Sequence, residues 1–265
     1  MKILLLFSLT IITSHAAISL QHHYTFDNNA NLGEDSVGSA DFTTITGVTQ
    51  SSSAAISGNY AQMSGGVVAS GADWSGTAGS NASYILETYV RLDSFTSNTD
   101  IFFTNDTASA PNYRVVFVAY DGDTASSTDA YWGASTSTRS WIGFNANTTN
   151  VANAQAQTVN GDGAWTHLAL VHNHLADGSG DHYRYYVNGT YIGNLLVNLG
   201  DETAFGNASF GAAAFNGAFD EIRVSTWDPN TDTIGDVENA FSIVPEPSSA
   251  ALLGISLVGL MFRRR

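Results

Sequence analysis

Apolar and polar residues alternate with a period of two along much of this chain, and helical spacing is hard to find. In residues 84–93, Tyr84, Leu86, Thr88, Val90 and Leu92 fall on one face. Ile85, Glu87, Tyr89, Arg91 and Asp93 fall on the other, as a half-buried strand requires. Further β-rich runs at 22–26, 100–104, 113–120, 140–144, 165–173, 182–187, 191–197 and 218–225 are separated by Gly, Asn, Asp and Ser clusters. Short strands broken by turn residues at roughly ten-residue spacing are the mark of a sandwich or barrel. Asn188-Gly189, between 183–187 and 191–196, predicts a tight hairpin because both residues tolerate positive φ. No internal repeat is visible. Residues 228–243 are polar and weakly patterned, which predicts a linker with at most one short helix near 237–241.

The two ends break this pattern. Met1-Lys2 is followed by an apolar run over 3–12, interrupted only by Ser8 and Thr10, and then by Ser14-His15-Ala16. The run is too short to span a membrane and precedes a small-x-small site, so residues 1–16 read as a secretory signal peptide cut by signal peptidase near Ala16 or Ala17. At the other end Val244-Pro245-Glu246-Pro247 precedes an apolar stretch over 250–262 and the triplet Arg263-Arg264-Arg265. Thirteen helical residues reach about 20 Å, short of a hydrocarbon core of about 30 Å. The arginines favour the cytoplasmic side, leaving everything before Pro245 outside. Residues 244–265 resemble the PEP-CTERM sorting signal of bacterial exported proteins. The resemblance implies transient membrane insertion, recognition by an exosortase-type enzyme and release to the surface or the exopolysaccharide matrix. An ordinary tail anchor is the alternative.

Removing both ends sharpens the charge. Five arginines then face 23 acids, for a net charge of −18. Such a domain is a poor partner for nucleic acid, whose phosphates need basic side chains. Neutral polymers and divalent cations suit it better, and the charge also keeps an exported protein soluble. There is no cysteine, so disulfides, thiol catalysis and cysteine metal sites are excluded. The fold must stand on its hydrophobic core, which residues 17–227 are numerous enough to build.

Several segments occur in the order of one known family. They are Tyr24-Thr25-Phe26-Asp27 with Asp35-Ser36-Val37-Gly38, then Trp165-Thr166-His167 followed by Tyr186-Val187-Asn188-Gly189, and finally Gly217-Ala218-Phe219-Asp220-Glu221-Ile222-Arg223. Residues 85–93 also fit, although Tyr89 stands where that family has tryptophan. The chain thus resembles the laminin-G-like, concanavalin-A-like domains, which implies an all-β jelly-roll β-sandwich of two antiparallel sheets. That fold serves lectins, adhesive modules and glycosidases alike, so function must come from sites.

Four chemistries compete for those sites. Retaining glycosidases need two carboxylates about 5–5.5 Å apart. Glu87 and Asp93 lie too far apart along one strand, and Asp220 and Glu221, being adjacent, are expected on opposite faces. A non-catalytic protein is therefore expected. The resemblance implies a structural calcium ion near the opening and closing strands, held by Asp27, Asp35 and Asp220. A turn-locking role or a pairing with Arg223 is the other reading of Asp220. Loops at 177–181 and 121–123 have calcium-like spacing but read better as hairpin turns. His172 and His174 share a strand face, yet no third zinc ligand is spaced to join them. Tyr120, Tyr131, Trp132 and Trp141 lie in or beside the loop-rich stretch 121–139 with nearby aspartates, a combination that suits a stacked sugar or, alternatively, simple core packing. Trp165 and Trp227 are expected in the core or at strand ends. Five Asn-x-Ser/Thr sequences are taken as coincidental in so polar a chain. The expected partner is a glycan or matrix polysaccharide, and a purely structural surface component is the remaining class.

Overall fold

The computed structural model describes residues 18–64, 69–74, 83–94, 99–105, 114–121, 129–135, 141–142, 158–160, 164–173, 183–195, 207–211 and 215–241. In chain order the first strands are β1 (Ser19–Tyr24), β2 (Thr44–Ile45), β3 (Val48–Ser51), β4 (Tyr60–Ser64), β5 (Ala69–Asp73) and β6 (Ser83–Ser94). There follow β7 (Thr99–Asn105), β8 (Arg114–Asp121), β9 (Asp129–Ser135), β10 (Trp141–Ile142) and β11 (Thr158–Asn160). The last are β12 (Trp165–His172), β13 (Tyr183–Val187), β14 (Thr190–Leu195), β15 (Asn207–Phe210) and β16 (Asn216–Trp227), ahead of one short helix, α1 (Ile234–Ala240).

The strands pair antiparallel into the two sheets of a β-sandwich. One runs β14-β13-β12-β6-β16-β4-β3, with β1 also on β16, and the other runs β10-β9-β8-β7-β15-β5-β2, with β11 on β9. Between them lies an apolar core that includes Tyr24, Phe42, Trp74, Leu86, Val90, Leu168, Leu170, Phe210, Phe219 and Ile222. Period-two alternation explains its composition, since Leu86, Val90 and Leu92 of β6 face Leu168 and Leu170 of β12 on one side of the first sheet. Asn188 and Gly189 adopt φ of 49° and 71°, as the predicted two-residue hairpin turn requires.

Two parts of the sequence reading need correction. Residues 228–241, expected as a linker with at most one short helix, hold that helix and pack it onto the first sheet. Thr233 caps α1 reciprocally with Asp236, and Ile234, Val237 and Phe241 cover Ile85, Ala169, Val171, Tyr186 and Trp227 on the outer face of the first sheet. That second apolar layer could not be foreseen, because the apolar residues on both faces of β6 and β12 look alike in sequence. The stretch 121–139, read as loop-rich, holds β9, the centre of three pairings. β2, β3, β4, β5, β11 and β15 also went unread, being runs of only two to five residues whose pairing is imposed by their neighbours.

Candidate functional site

β16 positions most of the polar chemistry. Its first residues, 216–219, pair with β4, and residues 222–226 pair on the same edge with β1. Between those two contacts the register against β6 slips, with Asp220 opposite Tyr89 and Arg223 opposite Glu87. This is a β-bulge, and Glu221 within it has φ of 51°, an unusual value for a non-glycine residue. The extra residue reverses the sequence expectation for the adjacent acids. Asp220 pairs opposite Tyr89 on the outer face, and Glu221 reaches Arg223 and His23, which belong to that same face.

The two carboxyls differ in state. Asp220 is fully buried, and Oδ2 accepts from the Ile56 and Ser57 N–H groups at 2.9 and 3.2 Å. Oδ1 is buried without a partner. Burial, joined by the charge of Glu221 and opposed by these N–H groups, pushes the Asp220 carboxyl up to about 8. Burial would raise Glu221 too, but the His23 hydrogen bond and the Arg223 charge outweigh it and hold that carboxyl below its ordinary value. His23 Nε2 lies 2.8 Å from Glu221 Oε2, and the Arg223 guanidinium closes the group.

The three aspartates expected at a calcium ion have different occupations. Asp35 Oδ1 accepts from His23, Val37 and Gly38 N–H at 3.0, 3.2 and 2.9 Å. Its Oδ2 accepts from Ala40 N–H at 3.2 Å and lies 2.5 Å from His22 Nδ1. Five donors fill a carboxylate with about four lone-pair directions, leaving nothing for a cation. Asp35 is the lock of a turn. Asp27 Oδ1 accepts from the N–H and the side-chain amide of Asn59, and Gly58 passes so close, at φ +53°, that any Cβ there would strike this carboxylate. Asp27 and Asp220 thus both fasten residues 56–59. Among the described residues no group of three His, Asp or Glu side chains stands together to hold a metal, so these three aspartates do not fit a calcium shell as a set.

The two histidines of β12 are built into the sandwich. His167 Nε2 lies 3.0 Å from Glu87 Oε1 on the outer face. His172 packs between Tyr84 and Tyr183, ring centroids 4.8 Å away in each case. His174 and the loop 177–181 lie outside the described residues, as does 122–128.

The four aromatics expected to stack on sugar belong to β8, β9 and β10 of the second sheet. Tyr120 pairs opposite Tyr131, Trp132 opposite Ala119, and Trp141 opposite Ser135.

Trp165, expected in the core or at a strand end, is the first residue of β12. It occupies the outer face of the first sheet, half-buried, directly opposite Arg91. The alternation Leu168, Leu170 already put Trp165 on the non-core face, and this was the signal available in the sequence.

Residues 244–265 match the model of the PEP-CTERM protein-sorting motif, which contains Pro245, Glu246, Pro247 and the arginines 263–265. They lie outside the described residues, among which no helix is long and apolar enough to cross a membrane. No curated protein matches the chain. Among solved structures, domain 4 of AbnA, an extracellular GH43 arabinanase from Geobacillus stearothermophilus solved with arabinotriose, aligns at TM-score 0.53 and 24% identity over 81% of this chain and 96% of its own. The ligand-binding domain of botulinum neurotoxin serotype D, solved with N-acetylneuraminic acid, aligns at 0.52 and 10% over 83% of this chain and 50% of its own. The binding domain of Paraclostridial Mosquitocidal Protein 1 aligns at 0.53 and 12%, over 84% of this chain and 52% of its own. This chain thus spans about half of either toxin chain. At these identities the likeness is one of fold. The protein is an exosortase-sorted protein of the cell surface or extracellular space, built on a two-sheet antiparallel β-sandwich.

Proposed function

We propose that the sandwich is a non-catalytic module that binds a glycan of the surface or matrix to which it is sorted. The observation that carries this reading is the union of the sorting motif with a fold whose solved neighbours include domains holding arabinotriose and N-acetylneuraminic acid. The non-catalytic part draws support from the bulge on β16. Asp220 and Glu221 have the divergent ionisation that acid–base pairs use. Yet Asp220 is sealed beneath residues 56–57, and Glu221 is committed to His23 and Arg223. The test uses mature protein recovered from outside the producing cells. Its intact mass should show loss of the N-terminal segment near Ala16 and of the sorting segment near Pro245. It should be retarded by at least one matrix polysaccharide in affinity electrophoresis while releasing no reducing sugar. Sustained sugar release abolished by one Asp or Glu substitution would establish an enzyme instead.

Calcium remains in this reading on one observation, the unpartnered buried Oδ1 of Asp220. A cation bound only by the folded state raises the melting temperature by mass action. Wild type is expected to melt higher in millimolar calcium than in chelator, and Asp220→Asn to lose that difference. The same variant should melt no lower than wild type in chelator at pH 8, because it removes a carboxylate whose charged form is disfavoured by burial. An unchanged calcium response in Asp220→Asn rules out Asp220 as a ligand.

A further inference from the structure

The outer face of the first sheet has two unlike halves. One is apolar and lies under α1 and Phe241. The other, at the far ends of β6 and β12, is polar and aromatic and is only half-buried. We propose that this second half is a subsite for a neutral, hydroxyl-rich sugar ring, formed by Trp165, Arg91, Asp93 and Gln62 over Tyr60. The inference rests on the glycan-binding reading and gives it a location.

Register builds the subsite. Trp165 is opposite Arg91, Arg91 is opposite Ala218, and Ala218 is opposite Gln62, so a row of side chains crosses β12, β6, β16 and β4 on one face. Ala218 is the small member of the row. Across it Arg91 Nη2 donates to Gln62 Oε1 at 2.6 Å. Asp93, two residues along the same face, accepts from Arg91 Nε at 2.7 Å and from the Gln62 amide at 2.8 Å. Gln62 also donates to the Gly217 carbonyl at 3.0 Å, which ties the network to the sheet. The Arg91 guanidinium lies 4.8 Å from the Tyr60 ring centroid and 5.2 Å from that of Trp165. Trp165 is oriented by its Nε1–H, which donates to the Ala54 carbonyl at 2.6 Å. These planar groups are therefore fixed before any ligand arrives, and binding does not have to order them.

The chemistry left over defines the ligand. Arg91 uses Nε and Nη2, while Nη1 makes no hydrogen bond among the described residues. Asp93 keeps 30% of its side chain exposed, with lone pairs beyond those its partners use. An unused donor edge, an accessible acceptor and a partly exposed indole are what a pyranose needs: hydroxyls that accept and donate around an apolar ring face. Asp93 balances the charge of Arg91, and the domain as a whole is strongly acidic, so a neutral ring suits the site and a polyuronate is repelled.

The experiment compares wild-type mature protein with Asp93→Asn, Trp165→Ala and Trp141→Ala in affinity electrophoresis against a neutral glucan, mannan and arabinan and against a uronate polymer. Wild type is expected to be retarded by at least one neutral polymer and not by the uronate. Asp93→Asn, nearly isosteric at a partly exposed position, is expected to keep the wild-type melting temperature and bind at least tenfold more weakly. Trp165→Ala should weaken binding at least as much, and Trp141→Ala should leave it unchanged. If Trp165→Ala unfolds, Asp93→Asn alone decides. Binding that survives Asp93→Asn but disappears in Trp141→Ala overturns the subsite and leaves glycan binding standing on the second sheet. Uronate-only binding overturns the ligand class. Binding to no polymer overturns the glycan reading and the subsite together.

Discussion

Asp35→Ala is expected to lower stability by about 3–5 kcal/mol. The estimate follows from the donors it abandons. The N–H groups of His23, Val37, Gly38 and Ala40 and the His22 ring all point at this carboxylate, and each buried donor without an acceptor costs about 1–3 kcal/mol. Burial offsets part of that sum, since removing the carboxylate also removes the cost of desolvating it. The consequence extends beyond the turn, because His22 stacks on Trp74, and Trp74 Nε1–H donates to the Tyr24 hydroxyl in the core. For a domain of this size the melting temperature should fall by on the order of 10 °C. Asp35→Asn should recover little, because its amide nitrogen presents donors to donors. Burial raises the Asp35 carboxyl, but His22 and the N–H groups of Gly38, His23 and Ala40 outweigh it and hold it below the ordinary 3.8. Its contribution is thus fully present above pH ~4 and is lost as pH falls through the depressed value. Asp220 acts in the opposite sense. Its raised carboxyl makes the folded state take up a proton, so stability from this group declines as pH rises from about 4 towards 8. Equilibrium unfolding of wild type and Asp35→Ala between pH 3 and 9 checks both signs. A loss under 1 kcal/mol at neutral pH would mean that the turn holds without its lock.

A chain ending at Trp227 is expected to be much less stable than one ending at Phe241, by roughly 3–6 kcal/mol, and to aggregate. Val237 and Phe241 are buried, and burying such side chains contributes about 1.5–3 kcal/mol each. Their loss also bares Ile85, Val171, Tyr186 and Trp227 as a contiguous apolar patch, a recognised aggregation hazard. Phe241 packs edge-on against Tyr186 at 4.8 Å, and Glu238 accepts from the Tyr186 hydroxyl at 2.8 Å, so the segment is fixed by both packing and a hydrogen bond. Urea unfolding of the two chains, with Val237→Ala/Phe241→Ala in the longer one, measures the effect without relying on truncation alone. Equal midpoints would return residues 228–241 to the status of a linker. The segment leads directly into the sorting motif at residue 244, so the folded domain ends close to where that motif begins.

Much of this protein was legible from order along the chain alone. The sorting motif is a linear signal, recognised by sequence before any fold exists, and the comparison bears it out at residues 244–265. An all-β sandwich or barrel followed from strand spacing, from alternation in β6 and from the Asn188-Gly189 turn, because alternation is a local property of a pleated strand, and the resemblance narrowed it to two antiparallel sheets. What the tertiary structure alone decided depends on which strands become neighbours. Asp220 and Glu221 were expected on opposite faces, and only the switch of β16 from β4 to β1 creates the bulge that puts them on one. Asp35 looked like a cation ligand until five donors, from residues 22–40, folded around it. Trp165, Arg91 and Gln62 lie far apart in sequence and meet because four strands align. A strand's faces are set by its own residues, but what each face meets is set by long-range pairing, and chemistry lives in those meetings.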